Sequence, residues 1–201
     1  MSAVASGGAA LQLPLFPLNT VLFSGGRLAL RIFETRYVDM VRRCMREQTG
    51  FGVILIREGR EAAEVSRTAD VGTLANIIDF NQLPDGLLGI TAAGGAQFQV
   101  LRRWRAQDGL NLAAVEWLSE MPAKTPRPDQ QEIVQWLRNI LPRLQQIQGP
   151  LRPEFDNAGW IGARIAEVLP ISTEAQQALL EMRDPLQRLD ALAPLLKDLS
   201  G

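Results

Sequence analysis

Leu13-Pro14-Leu15-Phe16-Pro17-Leu18 leads into Arg27-Leu28-Ala29-Leu30-Arg31-Ile32 and then Phe33-Glu34-Thr35-Arg36-Tyr37, and this opening block decides the fold. Leu28, Leu30 and Ile32 alternate with Arg27, Ala29 and Arg31, so one face of a strand turns to a core and the other to water. Pro14 and Pro17 have no amide proton to donate, which predicts a first strand at a sheet edge or ending at Pro17. A helix follows, because Tyr37, Met40, Val41, Cys44 and Met45 recur at helical spacing. Asp39, Arg42, Arg43 and Glu47 take its polar face, and Gly50 is placed to stop it in a left-handed turn.

Outward from this block, Phe51-Gly52-Val53-Ile54-Leu55-Ile56 has no alternation, which predicts a central strand buried on both faces. Further strands are expected over 71–80, 87–92, 97–105 and 110–117, divided by Pro84-Asp85-Gly86, Gly94-Gly95 and Asp108-Gly109. Gly59-Arg60-Glu61 reads as a hairpin tip, with an exposed loop running on to Ala69. Regular spacing with one helix near the start favours a small barrel. Pro122, Pro126 and Pro128 then break the pattern, and the rest is helical. Ile133, Trp136, Leu137, Ile140, Leu141 and Leu144 form one stripe, which Pro142 is expected to kink or divide. Trp160, Ile161, Ile165, Val168 and Leu169 form a second, ended by Pro170. Ser172 is placed to cap the next helix and Asp184 the last.

Composition narrows the chemistry. The 201 residues carry 21 basic and 22 acidic side chains, so a net charge of -1 gives little long-range attraction to nucleic acid or anionic membrane. A single cysteine, Cys44, cannot form an intramolecular disulfide and fits a reducing compartment, which makes the cytoplasm the expected location. The first ten residues lack the charge and apolar core of a signal peptide, and nothing approaches eighteen uninterrupted apolar residues, so neither export by that route nor membrane spanning is expected. The chain has no histidine, which removes Ser-His-Asp and Cys-His nucleophilic systems and imidazole zinc sites. It has no CxxC and no phosphate-binding loop, and its two lysines, Lys124 and Lys197, lie in a proline-rich stretch and near the end. Carboxylates such as Glu34, Asp79 and Asp85 can meet only in space, and nothing in their spacing selects them. The expectation is no catalytic residue, no cofactor and no metal.

Together with Leu169-Pro170-Ile171-Ser172 and Leu179-Leu180-Glu181, the opening block resembles the N-terminal substrate-binding domain of the Lon protease family over residues 11–196. The resemblance implies an α+β fold, a PUA-like β-rich pseudo-barrel followed by an α-helical bundle. The small residues at the start and the proline run set the expected bounds: residues 1–10 a flexible leader, 11–121 the barrel, 122–128 a proline-rich linker and 129–201 the helical part. It also implies a non-catalytic module that recognises unfolded or exposed polypeptide, or a protein partner such as a separate protease or chaperone, since the chain stops where Lon's motor and protease would begin. Ser24 and Thr35 stand where such domains commonly carry proline. Gln97 and Gln99 flank Phe98 where arginines are common, which removes positive charge from that strand.

Candidate sites have two readings each. Phe33 and Tyr37 can contact an extended peptide while Glu34 and Arg36 pair its polar groups, or the two aromatics can enter the core while Glu34 and Arg36 brace the helix start. Leu15 and Phe16 belong to a strand that either accepts a peptide by β-addition or is protected by its prolines. Arg102-Arg103-Trp104-Arg105 is the RNA-binding candidate, guanidinium groups for phosphates and an indole for a base, unless Glu116 and Glu120 on a neighbouring strand balance the charge. Cys44, Trp136 and Trp160 read as core residues. A junction between the two parts is a natural place for a cleft.

Overall fold

The computed structural model describes residues 11–59 and 67–198. Strands β1 (Leu11–Leu18), β2 (Arg27–Ile32), β3 (Phe51–Glu58), β4 (Arg67–Thr68), β5 (Val71–Gln82), β6 (Leu88–Arg105) and β7 (Asn111–Trp117) come first, with α1 (Thr35–Glu47) between β2 and β3. A 3-10 turn at Pro128–Gln130 opens the helical part: α2 (Gln131–Gln148), α3 (Ala158–Val168), α4 (Thr173–Glu181) and α5 (Pro185–Asp198). The architecture is α+β, a strand-built pseudo-barrel followed by a helical bundle.

β3 pairs with β1 in parallel and β5 antiparallel, and its unalternating run is buried from Phe51 to Ile56 because both faces are covered, Phe51 and Val53 in the cluster with α1, and Ile54 and Leu55 in the cluster around Phe98. That parallel pairing closes a ring in the order β1, β7, β6, β5, β3. β1 is therefore not an edge and does not end at Pro17. Residues 11–15 pair with β7 and residues 15–18 with β3, so neither proline-bearing half is flanked by two paired strands, and each missing amide is tolerated. β2 adds to the first half of β6 with Leu28, Leu30 and Ile32 turned inward. Across this layer α1 lays Tyr37, Met40, Val41 and Cys44 on Phe16, Phe51 and Ile90, each buried side chain contributing about 1.5–3 kcal/mol.

Gly94-Gly95 is not a turn between two strands; β6 runs through it. The register with β5 slips there, three residues of β6 spanning two of β5, and the long strand leaves one sheet layer for the next. The glycine is required because a Cβ on Gly94 would lie 2.1 Å from the Phe23 carbonyl oxygen. α1 also ends differently from expectation: Gln48 takes the left-handed conformation (φ 53), not Gly50. α2 continues undivided past Pro142. Residues 1–10, and the hairpin tip expected at Gly59-Arg60-Glu61 from residue 60 onward, lie outside the described residues.

The strand and helical parts are joined by the segment at residues 19–26. Phe23 from this segment is buried in the helical core beside Leu137, Ile161 and Ile165. Arg164, 0% exposed, reaches back from α3 to donate to the Ser24 carbonyl at 3.0 Å and pairs with Glu167 at 2.5 Å. Burial pushes the Arg164 guanidinium down and the Glu167 carboxyl up, the Gln148 amide and Arg164 opposing the latter. The proline-rich stretch is fastened as well. The Lys124 carbonyl accepts the Ala158 N–H at 2.8 Å, Lys124 Nζ meets Asp184 at 2.8 Å, and Arg127 meets Asp190 at 2.5 Å. Ser172 caps α4 as expected, accepting from the Ala175 amide.

Three outcomes test this packing. Phe98, on β6, is wholly buried and its ring leaves no room for a Cβ on Gly52 or Gly72, so Phe98→Ala should cost about 3–5 kcal/mol in denaturant unfolding. Glu167→Gln strands the buried Arg164 charge and should cost about 3–5 kcal/mol, whereas replacing both by apolar residues should cost far less. Lys124 with the Leu186 amide, and Arg127 with Gln130, hold Asp184 and Asp190 below the ordinary 3.8. The unfolded state binds these protons first as pH falls, so their contribution is full above pH 3.8 and is lost below it. Asp184→Asn with Asp190→Asn should flatten that acid limb in pH-dependent unfolding.

Candidate functional site

Between the C-terminal half of α1 and the outer part of β5 lies a groove of about 390 Å³. Three of its apolar members are exposed: Met45 36%, Ile78 50% and Phe80 58%. The backbone explains the grouping. Ile77 lies opposite Ala92 and Asp79 opposite Thr91, so Ile78 is an extra residue in β5. Three positions apart, Ile77 and Phe80 would face opposite sides of a regular strand. The bulge puts both on the side shared by their partners Ala92 and Ile90, with Ile78 projecting at the break. Gln48, Thr49, Asn76 and Asp79 give the groove a polar rim. Cys44 lies beneath it, its Sγ 3.5 Å from the Gly50 carbonyl oxygen, and burial pushes the thiol up. It is a packed core residue with little thiolate character.

A second hollow, about 590 Å³, opens at the seam between barrel and bundle, floored by Gly94 and Gly95 and walled by Trp160 of α3. Gln97 is buried at its edge, donating to the Leu180 carbonyl at 3.2 Å and accepting from Arg183 at 2.9 Å. Asn157 caps α3 beside it, accepting from the Gly159 and Trp160 amides. A third hollow of about 340 Å³ at the barrel wall holds Arg57, Arg67 and Arg103 with Trp104. Each arginine there has a carboxylate: Glu181 at 3.6 Å, Glu58 at 3.3 Å and Asp70 at 2.6 Å.

The structure separates the residues singled out in sequence. Leu15, Phe16 and Tyr37 are buried, Phe16 and Tyr37 stacked at 4.0 Å, so none offers a surface to a peptide. Phe33 does not enter the core; it is 59% exposed. Glu34 and Arg36 pair at 2.6 Å, and Arg36 also donates to the Gly109 carbonyl at 3.0 Å and lies over the Tyr37 ring. The motif thus braces the start of α1 against the β6–β7 turn. Along β6, Arg102 covers Trp104 at 5.0 Å while Arg103 and Arg105 turn to the other face, as strand alternation requires. Arg103 is balanced by Asp70, not by Glu116 or Glu120, and Arg105 donates to the Gly109 carbonyl. Glu34, Asp79 and Asp85 do not converge; Asp85 pairs with Arg31 and Asp79 accepts the Phe80 amide. Among the described residues no three His, Cys, Asp or Glu side chains are placed to hold a metal ion, and no helix is long and apolar enough to cross a membrane. Sequence reasoning missed Ile78 and Phe80. The adjacent isoleucines of Asn76-Ile77-Ile78-Asp79 were the signal, since they break strand alternation where the bulge lies.

Comparison with known proteins agrees with this fold. The curated Lon protease of Treponema pallidum is 26% identical over 196 residues, and that of Paraburkholderia phytofirmans 29% identical over 198. The matches cover 92% and 94% of this chain but only 21% and 24% of those proteins. The crystal structure of a Lon N-terminal domain protein from Xanthomonas campestris is 35% identical with a TM-score of 0.78, covering 92% of this chain and 98% of that one. The N-terminal domain of Mycobacterium avium complex Lon protease, 13% identical with a TM-score of 0.67 over 94% of this chain and 99% of that one, shares the fold. The model of the ATP-dependent protease La (LON) substrate-binding domain matches residues 12–198, barrel and bundle together, and the chain therefore belongs to that family.

Proposed function

We propose that this chain is a non-catalytic recognition module that holds exposed apolar segments of polypeptide in the groove of Met45, Ile78 and Phe80. The observation that carries the reading is the gathering of three large apolar side chains on an open surface, where isolated exposure would mean nothing. Membership of a substrate-binding family supports it. Each apolar side chain yields at most about 1.5–3 kcal/mol on full burial, and a shallow groove recovers only part of that against the cost of association. Affinity for one segment is therefore weak, and the polar rim lets many sequences bind. The lack of histidine and of any phosphate-binding loop supports binding without turnover. The lone buried cysteine supports a cytoplasmic setting. RNA binding through Arg102–Arg105 has less support, because Arg103 is neutralised by Asp70 and the four side chains divide between two faces.

Binding to a permanently unfolded polypeptide, compared with its folded form, tests the reading. The unfolded form should bind at micromolar to millimolar concentration. Ile78→Ser with Phe80→Ser should weaken it about tenfold or more while leaving the melting temperature nearly unchanged, since both side chains are exposed. Equal binding of folded and unfolded forms would reject polypeptide recognition, and full binding by the double variant would reject the groove.

A further inference from the structure

We propose that the hollow at the seam between barrel and bundle is a binding site for a carboxylate group, held by Arg183 and Arg188. Arg188 of α5 is 1% exposed and lines the hollow. Its stem is wedged against α3, where a Cβ on Gly162 would lie 2.9 Å from Arg188 Cδ, so the guanidinium is locked in place. Nη2 donates to the carbonyls of Met182 at 2.8 Å and Leu180 at 3.5 Å and to Met121 Sδ at 3.7 Å, and Nε has no partner among the described residues. Arg183 lines the same hollow, and its contacts are also neutral oxygens, Gln97 Oε1 at 2.9 Å and the Ser119 carbonyl.

No carboxylate among the described residues pairs with either guanidinium, whereas the buried Arg164 has Glu167. The buried charge of Arg188 is costly without a counter-charge, and the cation of the exposed Arg183 nearby increases that cost. The carbonyls at the end of α4 offset part of it through the helix dipole but leave the net charge of both groups in place. Burial and the nearby Arg183 push Arg188 down to about 10, so it is still a cation at neutral pH. An entering carboxylate supplies the missing charge and matches the fork of guanidinium donors. Glu120 and Glu154 also line the hollow and repel any anion, a phosphate dianion more strongly than a carboxylate, which favours the carboxylate of the two. Trp160 and Met121 offer apolar wall to the body that carries it.

The carboxylate can come from a small acid or from the C-terminus of a polypeptide, and the full chain distinguishes them. Calorimetry and amide NMR would compare N-acetyl-leucine with its amide, and an eight-residue peptide with its C-terminally amidated form. The free acids should bind about tenfold or more tightly than the amides and shift the Gly94, Gly95 and Ser119 resonances. Tighter binding of the peptide acid assigns the chain terminus as the source, and equal binding assigns the small acid. Arg183→Gln should weaken the acids about tenfold while leaving binding of the amides unchanged. Arg188→Gln should do the same where it folds, and the acid-against-amide comparison stands without it. Equal binding of acids and amides, no resonance shifts, or preference for inorganic phosphate would overturn the site. None of these outcomes depends on the Ile78 and Phe80 groove.

Discussion

A single buried ion pair governs how the two parts of this protein meet. Arg164 carries its charge into a site with no exposure, and only the Glu167 carboxylate and the Ser24 carbonyl make that tolerable. Because Ser24 lies in the segment between β1 and β2, satisfying the arginine pins a strand-side loop to a helix. The same segment is pinned from the barrel side, where Gly25 donates to the Gly94 carbonyl at 2.8 Å and Gly94 to the Gly26 carbonyl at 2.9 Å. Phe23 is then carried into the helical core with no freedom to leave it. The seam is a joint of fixed geometry, and the hollow beside it inherits that shape.

The barrel achieves a comparable rigidity by different means. Its ring is completed by one parallel pairing, β1 with β3, and Phe98 fills the space that two glycines leave open. Close packing of this kind transmits strain and resists change, which confines adaptable contacts to places outside it. The α1–β5 groove is such a place. The bulge at Ile78 costs strand pairing and exposes apolar area, the opposite of what packing alone favours, and the proposed recognition role rests on that departure.

Much of this was legible in advance where the local pattern and the tertiary environment agree. The buried run in β3, the inward face of β2, the amphipathic α1 and the helical stripes beyond Pro128 all follow from apolar periodicity. Legibility failed where a residue's role depends on a distant partner. Gly94-Gly95 has the composition of a turn, yet close approach of the Phe23 carbonyl makes it a bend within a strand. Pro14 and Pro17 signalled an edge, yet a strand that changes partners midway accommodates both. Phe33 and Tyr37 belong to one motif, and only the latter found a cavity to fill. Gln97 read as lost charge, and it became a buried bridge between barrel and bundle.

The sequence by itself determined the family, the α+β order of strands before helices and the lack of any imidazole. Those properties reside in residue type and spacing along the chain. The tertiary structure alone decided which apolar side chains stay in water, which arginines find a carboxylate and where the hollows lie. Burial and charge pairing depend on atoms brought together from far apart in the chain, and no local pattern encodes the sum of those distances.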